Sequence, residues 1–187
     1  MIDASDDELI VRAQGGAADA VRSLYLNNYQ SIYRYLYYRV GDTHIAEDLT
    51  SEVFLKMIQS LPGYRLRNVP FQAWLFQIAR NLAIDHHRKQ SLHMNTELHE
   101  NIQETARPVD ELVENKLSNE LLFRTLKKLT NDQRDVILLR FIEGLSLAQV
   151  ASILHKSEDA IKGLQHRGLI SLRSLLYHPE VKRVKTG

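Results

Sequence analysis

This 187-residue chain contains two groups of side chains that could bind phosphates and nucleic-acid bases. Between residues 65 and 89 the basic groups are Arg65, Arg67, Arg80, Arg88 and Lys89, and the only acidic group is Asp85. Basic groups among exposed rings and amides suit a single nucleic-acid strand, because its bases stack on rings and its phosphates attract cations. This stretch is therefore a candidate strand-binding surface.

A second candidate lies between Gly144 and Arg173, where the sequence predicts two short helices joined by a tight turn. Gly144 can end the preceding helix in a left-handed conformation, and Ser146 with Gln149 forms a capping box that begins the next one. Apolar residues recur at one-turn spacing on both helices, which is typical of a helix-turn-helix. The outward positions of the second helix could reach base edges and phosphates: Ser157, Glu158, Asp159, Lys162, His166 and Arg167. This stretch alone leaves an ordinary α-helical hairpin open.

An acidic surface is predicted on the helix from Thr43 to Ser60, which Asp42 caps. Apolar residues at four-residue steps form its buried stripe. The other side carries Glu47, Asp48 and Glu52 with Phe54 close by, a partly apolar and negative surface that suits a basic protein helix and not DNA. A merely solvated face is the alternative.

Further helices must position these surfaces. The pattern predicts helices from Ser5 to Ala13, from Ala20 to Val40 with a row of tyrosines that we assign mainly to the core, and from Pro70 to Arg88. On the last helix Trp74 is predicted to face inward, whereas Phe76, Arg80, Ala83 and His87 form the opposite, outward stripe.

Residues 91–115 are acidic and lack periodicity, which indicates a flexible linker. Residues 116–178 then read as four helices, and residues 179–187 as a basic tail. The fold class is therefore all-α: two small helical domains joined by a flexible acidic linker, the C-terminal one with a helix-turn-helix.

Composition limits the classes of function that the chain can have. Cysteine is absent, net charge is +1, and no apolar run approaches the roughly 20 residues of a membrane span, so we expect a cytoplasmic protein that binds nucleic acid through local patches or with a partner. The sequence offers no catalytic residue, cofactor site or enzyme motif. Adjacent His86 and His87 point apart on a helix, so no metal site is predicted.

Three motifs in order resemble bacterial RNA polymerase sigma factors of the extracytoplasmic-function (ECF) group in the sigma-70 family. Residues 46–54, AEDLTSEVF, are similar to region 2.2 of that family. Residues 74–88, WLFQIARNLAIDHHR, are similar to regions 2.3 and 2.4, and residues 129–176 to region 4. The resemblance covers nearly the whole chain and implies a sigma factor that directs promoter recognition, DNA melting and initiation.

The resemblance also implies partners and roles. Residues 1–90 would form the region 2 domain, whose Glu47, Asp48, Glu52 and Phe54 would bind the β′ clamp helices of the polymerase core. The residues implied for the minus-10 element are Tyr64, Arg65, Arg67, Asn68, Phe76, Arg80, Asn81, His87 and Arg88. Residues 116–178 would form the region 4 domain, bind the minus-35 element through the outward set of residues 157–167, and dock on the β flap.

The family likeness further suggests an anti-sigma factor as a partner, and no membrane insertion. The chain departs from many relatives at Gly163-Leu164-Gln165, where a basic side chain is missing. Two glycines in the recognition helix, Gly163 and Gly168, predict a close backbone approach to DNA or to a neighbouring helix. The alternative function is a free-standing helix-turn-helix regulator that binds duplex DNA alone. An anti-sigma-like or purely scaffolding protein is a third class.

Overall fold

Every regular element that the structure describes is a helix. The computed structural model describes residues 6–65, 70–96 and 121–177, with backbone only for 92–96 and 177. The N-terminal half contains α1 (Asp6–Gln14), α2 (Ala18–Val40), α3 (Thr43–Ser60) with a 3-10 turn (Leu61–Gly63), and α4 (Phe71–Thr96). The C-terminal half contains α5 (described over 121–127), α6 (Asn131–Ile137) continued by a π-helical turn (Leu138–Ile142), α7 (Leu147–Leu154) and α8 (Glu158–Tyr177). The predicted all-α fold is confirmed.

Local sequence signals set most helix ends. Gly41 ends α2 with φ of 81°, and its N–H donates to Tyr37 O at 2.8 Å. Asp42 then begins α3 by accepting a hydrogen bond from Ile45 N at 2.9 Å. These two adjacent residues therefore make the sharp reversal that lets α3 pack against α2.

The predicted helix-turn-helix is confirmed. Thr130 with Gln133 and Ser146 with Gln149 form complete capping boxes at the starts of α6 and α7. Gly144 has φ of 73°, as expected for the residue that follows a helix. His155 makes the turn between α7 and α8 in a left-handed conformation, with φ of 53°. Imidazole-bearing residues are among the non-glycine types that tolerate this region.

The α4 helix differs from its prediction. Phe76 and Ala83, expected on an outward stripe, are fully buried, and the helix continues past Arg88 to Thr96. The reason is that α4 packs on α2 and α3 on one side and on α7 of the C-terminal half on another. A helix with two packing partners has no single outward stripe of the kind that periodicity assigns.

Phe54 is the second correction. The sequence placed it with the acidic surface of α3, but it is buried, with its ring 4.6 Å from the ring of Tyr25 and 6.4 Å from that of Tyr29. The tyrosine row of α2 therefore packs against the neighbouring helix, as its assignment to the core required. Tyr25 alone of the row is exposed, at 38%.

Some predictions lie outside the described residues: the Ser5 cap, Arg67 and Asn68, most of the acidic linker, and the C-terminal tail. Within the described ranges, no helix is long and apolar enough to cross a membrane.

The two glycines of α8 have different surroundings, which yields a stability prediction. A Cβ at Gly168 would lie 3.2 Å from Ile137 Cγ1 of α6, whereas one at Gly163 would meet only the Arg167 guanidinium at 3.4 Å. The close approach predicted for the glycines is thus confirmed at Gly168.

We expect Gly163→Ala to raise the free energy of unfolding by about 0.5–1 kcal/mol through helix propensity. Gly168→Ala should lose that gain, because Ile137 must move in a packed interface. Urea titrations of the two variants check this; an equal gain at both positions would contradict the close packing at Gly168.

Candidate nucleic-acid interface

The recognition helix of the helix-turn-helix presents the predicted residues to solvent. Ser157, Glu158, Asp159, Lys162, His166 and Arg167 are all exposed. Ser157 Oγ accepts from Ala160 N at 3.2 Å and so caps α8, while Ile161 and Gly168 face the core. Lys162 Nζ lies 3.0 Å from Asp159 Oδ1, and this contact raises the pKa of Lys162. The helix therefore has one buried face and one face free to enter a groove.

The acidic surface of α3 is also exposed as predicted, apart from Phe54. Glu47, Asp48 and Glu52 all face solvent, and Glu52 lies 3.6 Å from Lys56 Nζ. This surface also has an apolar component that was not predicted: Leu55, one turn after Glu52, is 54% exposed. Its signal was its position three residues from Glu52, which places both on one side of the helix.

The loop after α3 builds an aromatic corner. The Tyr64 ring lies 4.6 Å from the ring of Trp74 and 5.6 Å from that of Phe71. Gln14 Nε2 donates to Tyr64 O at 2.6 Å and ties the loop to α1. Trp74, predicted to face inward, is partly buried in this corner.

Beside this corner is a cavity of about 400 Å³ that spans both halves of the chain. Its lining combines aromatic rings with polar groups: Ser60, Gly63, Tyr64, Arg65, Trp74, Gln77 and Ser152. Gln77 Nε2 donates to Ser152 O at 3.0 Å across it. Arg65 is exposed at the cavity and available to an anion.

The strand-binding residues predicted on α4 divide into two groups. Asn81 and Arg88 are exposed, and Arg88 Nη2 lies 3.2 Å from Asp85 Oδ1, three residues earlier on the same helix. Phe76 is buried against Tyr35, and Arg80 keeps only 16% of its side chain exposed. The structure therefore presents the first pair to solvent and covers the second.

The cover over Arg80 comes from α6. Arg80 Nε donates to Asp135 Oδ2 at 3.0 Å, and Arg80 Nη2 to Asp132 Oδ1 at 3.2 Å. Asp135 is fully buried and accepts from the Tyr35 hydroxyl at 3.0 Å. Burial of Tyr35 and the neighbouring carboxylate raise the pKa of its phenol, so the hydroxyl stays a donor.

Arg39 completes this cluster. Its Nε lies 2.8 Å from Asp135 Oδ1, in ion-pair contact without hydrogen-bond alignment, and its side chain is 1% exposed. Neither of its terminal nitrogens, Nη1 and Nη2, has a hydrogen-bond partner among the described residues. No sequence pattern indicated Arg39 or Asp135, because their contact joins residues about a hundred positions apart in the chain.

Comparison with known protein families matches two models, "Sigma-70 region 2" over residues 24–93 and "Sigma-70, region 4" over residues 125–174. Together they cover more than half of the chain and coincide with the two halves described above. Region 2 thus contains the acidic surface, the aromatic corner and most of α4, and region 4 contains α7 and most of α8.

Individual proteins agree. The ECF RNA polymerase sigma factor BldN of Streptomyces coelicolor is 40% identical over 171 residues, 90% of this chain, which spans 65% of BldN. SigX of Bacillus subtilis, another ECF RNA polymerase sigma factor, is 35% identical over 166 residues, 86% of this chain and 84% of SigX. The structure of CnrH with the cytosolic domain of CnrY matches with a TM-score of 0.74 at 24% identity, over 93% of this chain and 98% of CnrH, which supports the fold.

His87 provides a prediction on pH. Its Nε2 lies 3.4 Å from Arg39 O, and burial, followed by the charges of Arg39, His86 and Arg134, lowers its pKa below the ordinary 6.5. The folded chain thus holds His87 neutral where the unfolded chain would protonate it. The resulting stabilisation of the folded state is present above pH 6.5 and is lost as the pH falls through the lowered pKa of His87.

Urea unfolding between pH 7.5 and 5.5 measures this loss. We expect His87→Gln to reduce the pH dependence relative to the unsubstituted chain, while the contribution from carboxylates stays common to both. Identical slopes would contradict the burial of a neutral His87.

Proposed function

Because the chain belongs to the ECF group of sigma-70 RNA polymerase sigma factors, we propose that it binds the polymerase core and directs it to promoters. The observation that carries this function is the presence of region 2 and region 4 in one chain, each with its own exposed polar surface. An acidic surface on α3 and a helix-turn-helix ending in an exposed α8 suit two different partners, protein and DNA.

The core-binding role belongs to α3. Its exposed carboxylates, Glu47, Asp48 and Glu52, repel DNA phosphates and attract a basic helix of a protein. Leu55 adds apolar area beside them, as the centre of a protein interface requires. Phe54 supports this surface from below by packing on Tyr25 and Tyr29, so its role is to position α3. The β′ clamp helices are the proposed partner.

The minus-10 role belongs to the aromatic corner and α4. Tyr64 and Arg65 at the cavity, together with exposed Asn81 and Arg88, offer stacking and phosphate contacts to an unpaired strand. Arg67 and Asn68 keep their predicted roles on the sequence alone. Arg80, Phe76 and His87 are covered to different degrees in the free chain and can take part only after a rearrangement.

The minus-35 role belongs to α8. Its N-terminal turn and the following exposed positions, Lys162, His166 and Arg167, face away from the core of the half. The first turns of a recognition helix are the ones that meet base edges in the major groove. Glu158 and Asp159 flank them and would disfavour non-specific phosphate binding.

We further propose that the chain acts in the cytoplasm, has no catalytic activity of its own, docks on the β flap through its C-terminal half, and is held by a protein antagonist. The fold itself has been solved with a second protein, in the case of CnrH. An antagonist of this chain would compete for the acidic surface of α3 or for α8.

Reconstituted transcription tests the proposed function. Purified chain is added to bacterial core polymerase on fragmented genomic DNA, and transcript 5′ ends are mapped. We expect discrete starts that share two upstream sequence elements and that are absent with core alone. Tight binding to specific duplex DNA without polymerase, and no new starts, would instead indicate a free-standing regulator.

The core-binding surface is tested separately by charge reversal. Glu52→Lys should weaken binding to core polymerase by about ten-fold, since like charges placed face to face cost roughly one to several kcal/mol. Asp7→Lys, the same reversal at an exposed position on α1, is the matched control. Biolayer interferometry with immobilised core measures both, and an unchanged affinity of Glu52→Lys would refute the assignment of α3.

A further inference from the structure

Three arginines of the N-terminal half each contact a carboxylate of the C-terminal half. We call Arg34, Arg39 and Arg80 the arginine face. Arg34 Nη2 lies 2.7 Å from Glu143 Oε2, Arg39 contacts Asp135, and Arg80 contacts both Asp132 and Asp135, as described above. All three arginines thus face carboxylates of α6 or of Glu143, the residue that follows the π-helical turn.

Arg39 is the arginine whose hydrogen-bond donors are least well paired by the C-terminal half. A guanidinium has five N–H donors in a planar fork, but within the described part of the chain Arg39 meets one carboxylate oxygen and its two terminal nitrogens have no hydrogen-bond partner. A buried donor without a partner destabilises the state that contains it. With the two halves in contact, the hydrogen-bond donors of Arg39 are therefore incompletely paired. An anion with more acceptor atoms would pair more of them.

Phosphate is such an anion. Its oxygens fit the guanidinium fork as carboxylate oxygens do, and a nucleic-acid backbone brings several phosphates in series. Arg39 contacts Oδ1 of Asp135 and Arg80 contacts Oδ2, so the two arginines lie close enough to meet one backbone segment. Tyr35 donates to the same carboxylate and would be uncovered with them, adding a ring next to the phosphates.

We propose that the arginine face binds the phosphate backbone of single-stranded DNA, and that carboxylates of the C-terminal half occupy it in the free chain in place of phosphates. This inference rests on the proposed function and deepens it. It adds Arg34 and Arg39 to the strand contacts, and it makes separation of the two halves a requirement for full strand binding. The free chain is accordingly a weak binder of single strands, and any partner that separates the halves strengthens binding.

The experiment measures binding of the full-length chain to a fluorescein-labelled oligothymidylate by anisotropy, without polymerase. Asp135→Asn should bind about ten-fold tighter than the unsubstituted chain, because it removes the carboxylate that contacts two arginines. Asp132→Asn should bind tighter by a smaller factor, since its contact is at the edge. Asp19→Asn is the matched control: it removes one carboxylate near the other end of α2, where Asp19 pairs with Arg12.

A second substitution identifies the site. Arg39→Gln placed in the Asp135→Asn background should return the affinity to near the original value, while Arg22→Gln, an exposed arginine elsewhere on α2, should not. Circular dichroism confirms folding of each variant. If Asp135→Asn fails to fold, Asp132→Asn carries the test, because Asp132 is partly exposed and its loss leaves no buried charge alone.

Affinities of Asp135→Asn and Asp132→Asn no higher than that of Asp19→Asn would overturn the proposal, and so would equal gains for single-stranded and duplex probes. The test is independent of the proposed function. A chain that fails to direct transcription can still show the gain, and a chain that directs transcription can lack it.

Discussion

The buried carboxylate of Asp135 is the contact on which the arrangement of the two halves depends. Its Oδ1 contacts Arg39 and accepts a hydrogen bond from Tyr35, both on α2. Its Oδ2 accepts a hydrogen bond from Arg80 on α4. Removing one partner of a buried ion pair typically costs about 3–5 kcal/mol, because the other charge is left without compensation. A displacement of α6 from α2 and α4 would therefore have to bring water or another ion to all of these groups.

Other contacts across the same interface are weaker but fix its geometry. Phe123 of α5 packs over Gly41, where an added Cβ would lie 1.8 Å from the ring, so the turn after α2 must carry glycine for both its φ and its close neighbour. Arg134 Nη1 donates to Arg39 O at 3.4 Å across the interface, while its other donors reach Leu126 O and Lys127 O within the C-terminal half. The polar nature of this interface is suited to one that forms in one state of the protein and separates in another.

Sequence patterns predicted what depends on neighbours along the chain. Short-range signals gave the capping box at Ser146, the Asp42 cap of α3, the glycine end at Gly144 and the exposed set on α8. The all-helical fold and the two family regions followed from the same local periodicity together with the resemblance to ECF sigma factors.

Contacts between residues far apart in the chain could not be predicted from the sequence. Arg80 was predicted as a free cation and Phe76 as a free ring, because periodicity on α4 considers one buried side, whereas the helix lies between two. Asp135 carried no signal of its own: a single carboxylate on a short helix is ordinarily solvated, and only the tertiary packing buries it. The separation of about a hundred residues between Tyr35 and Asp135 is outside the range of any spacing rule.

The most direct test of this arrangement is the distance between the halves in solution. The chain has no cysteine, so single cysteines placed at exposed Ser51 on α3 and Ser174 on α8 can carry two spin labels for pulsed EPR. The packing around Asp135 predicts one narrow distance distribution for the free chain, and a broader, longer one when Asp135→Asn is added. A broad distribution in the unsubstituted chain, or a narrow one unchanged by Asp135→Asn, would contradict a central role for this carboxylate.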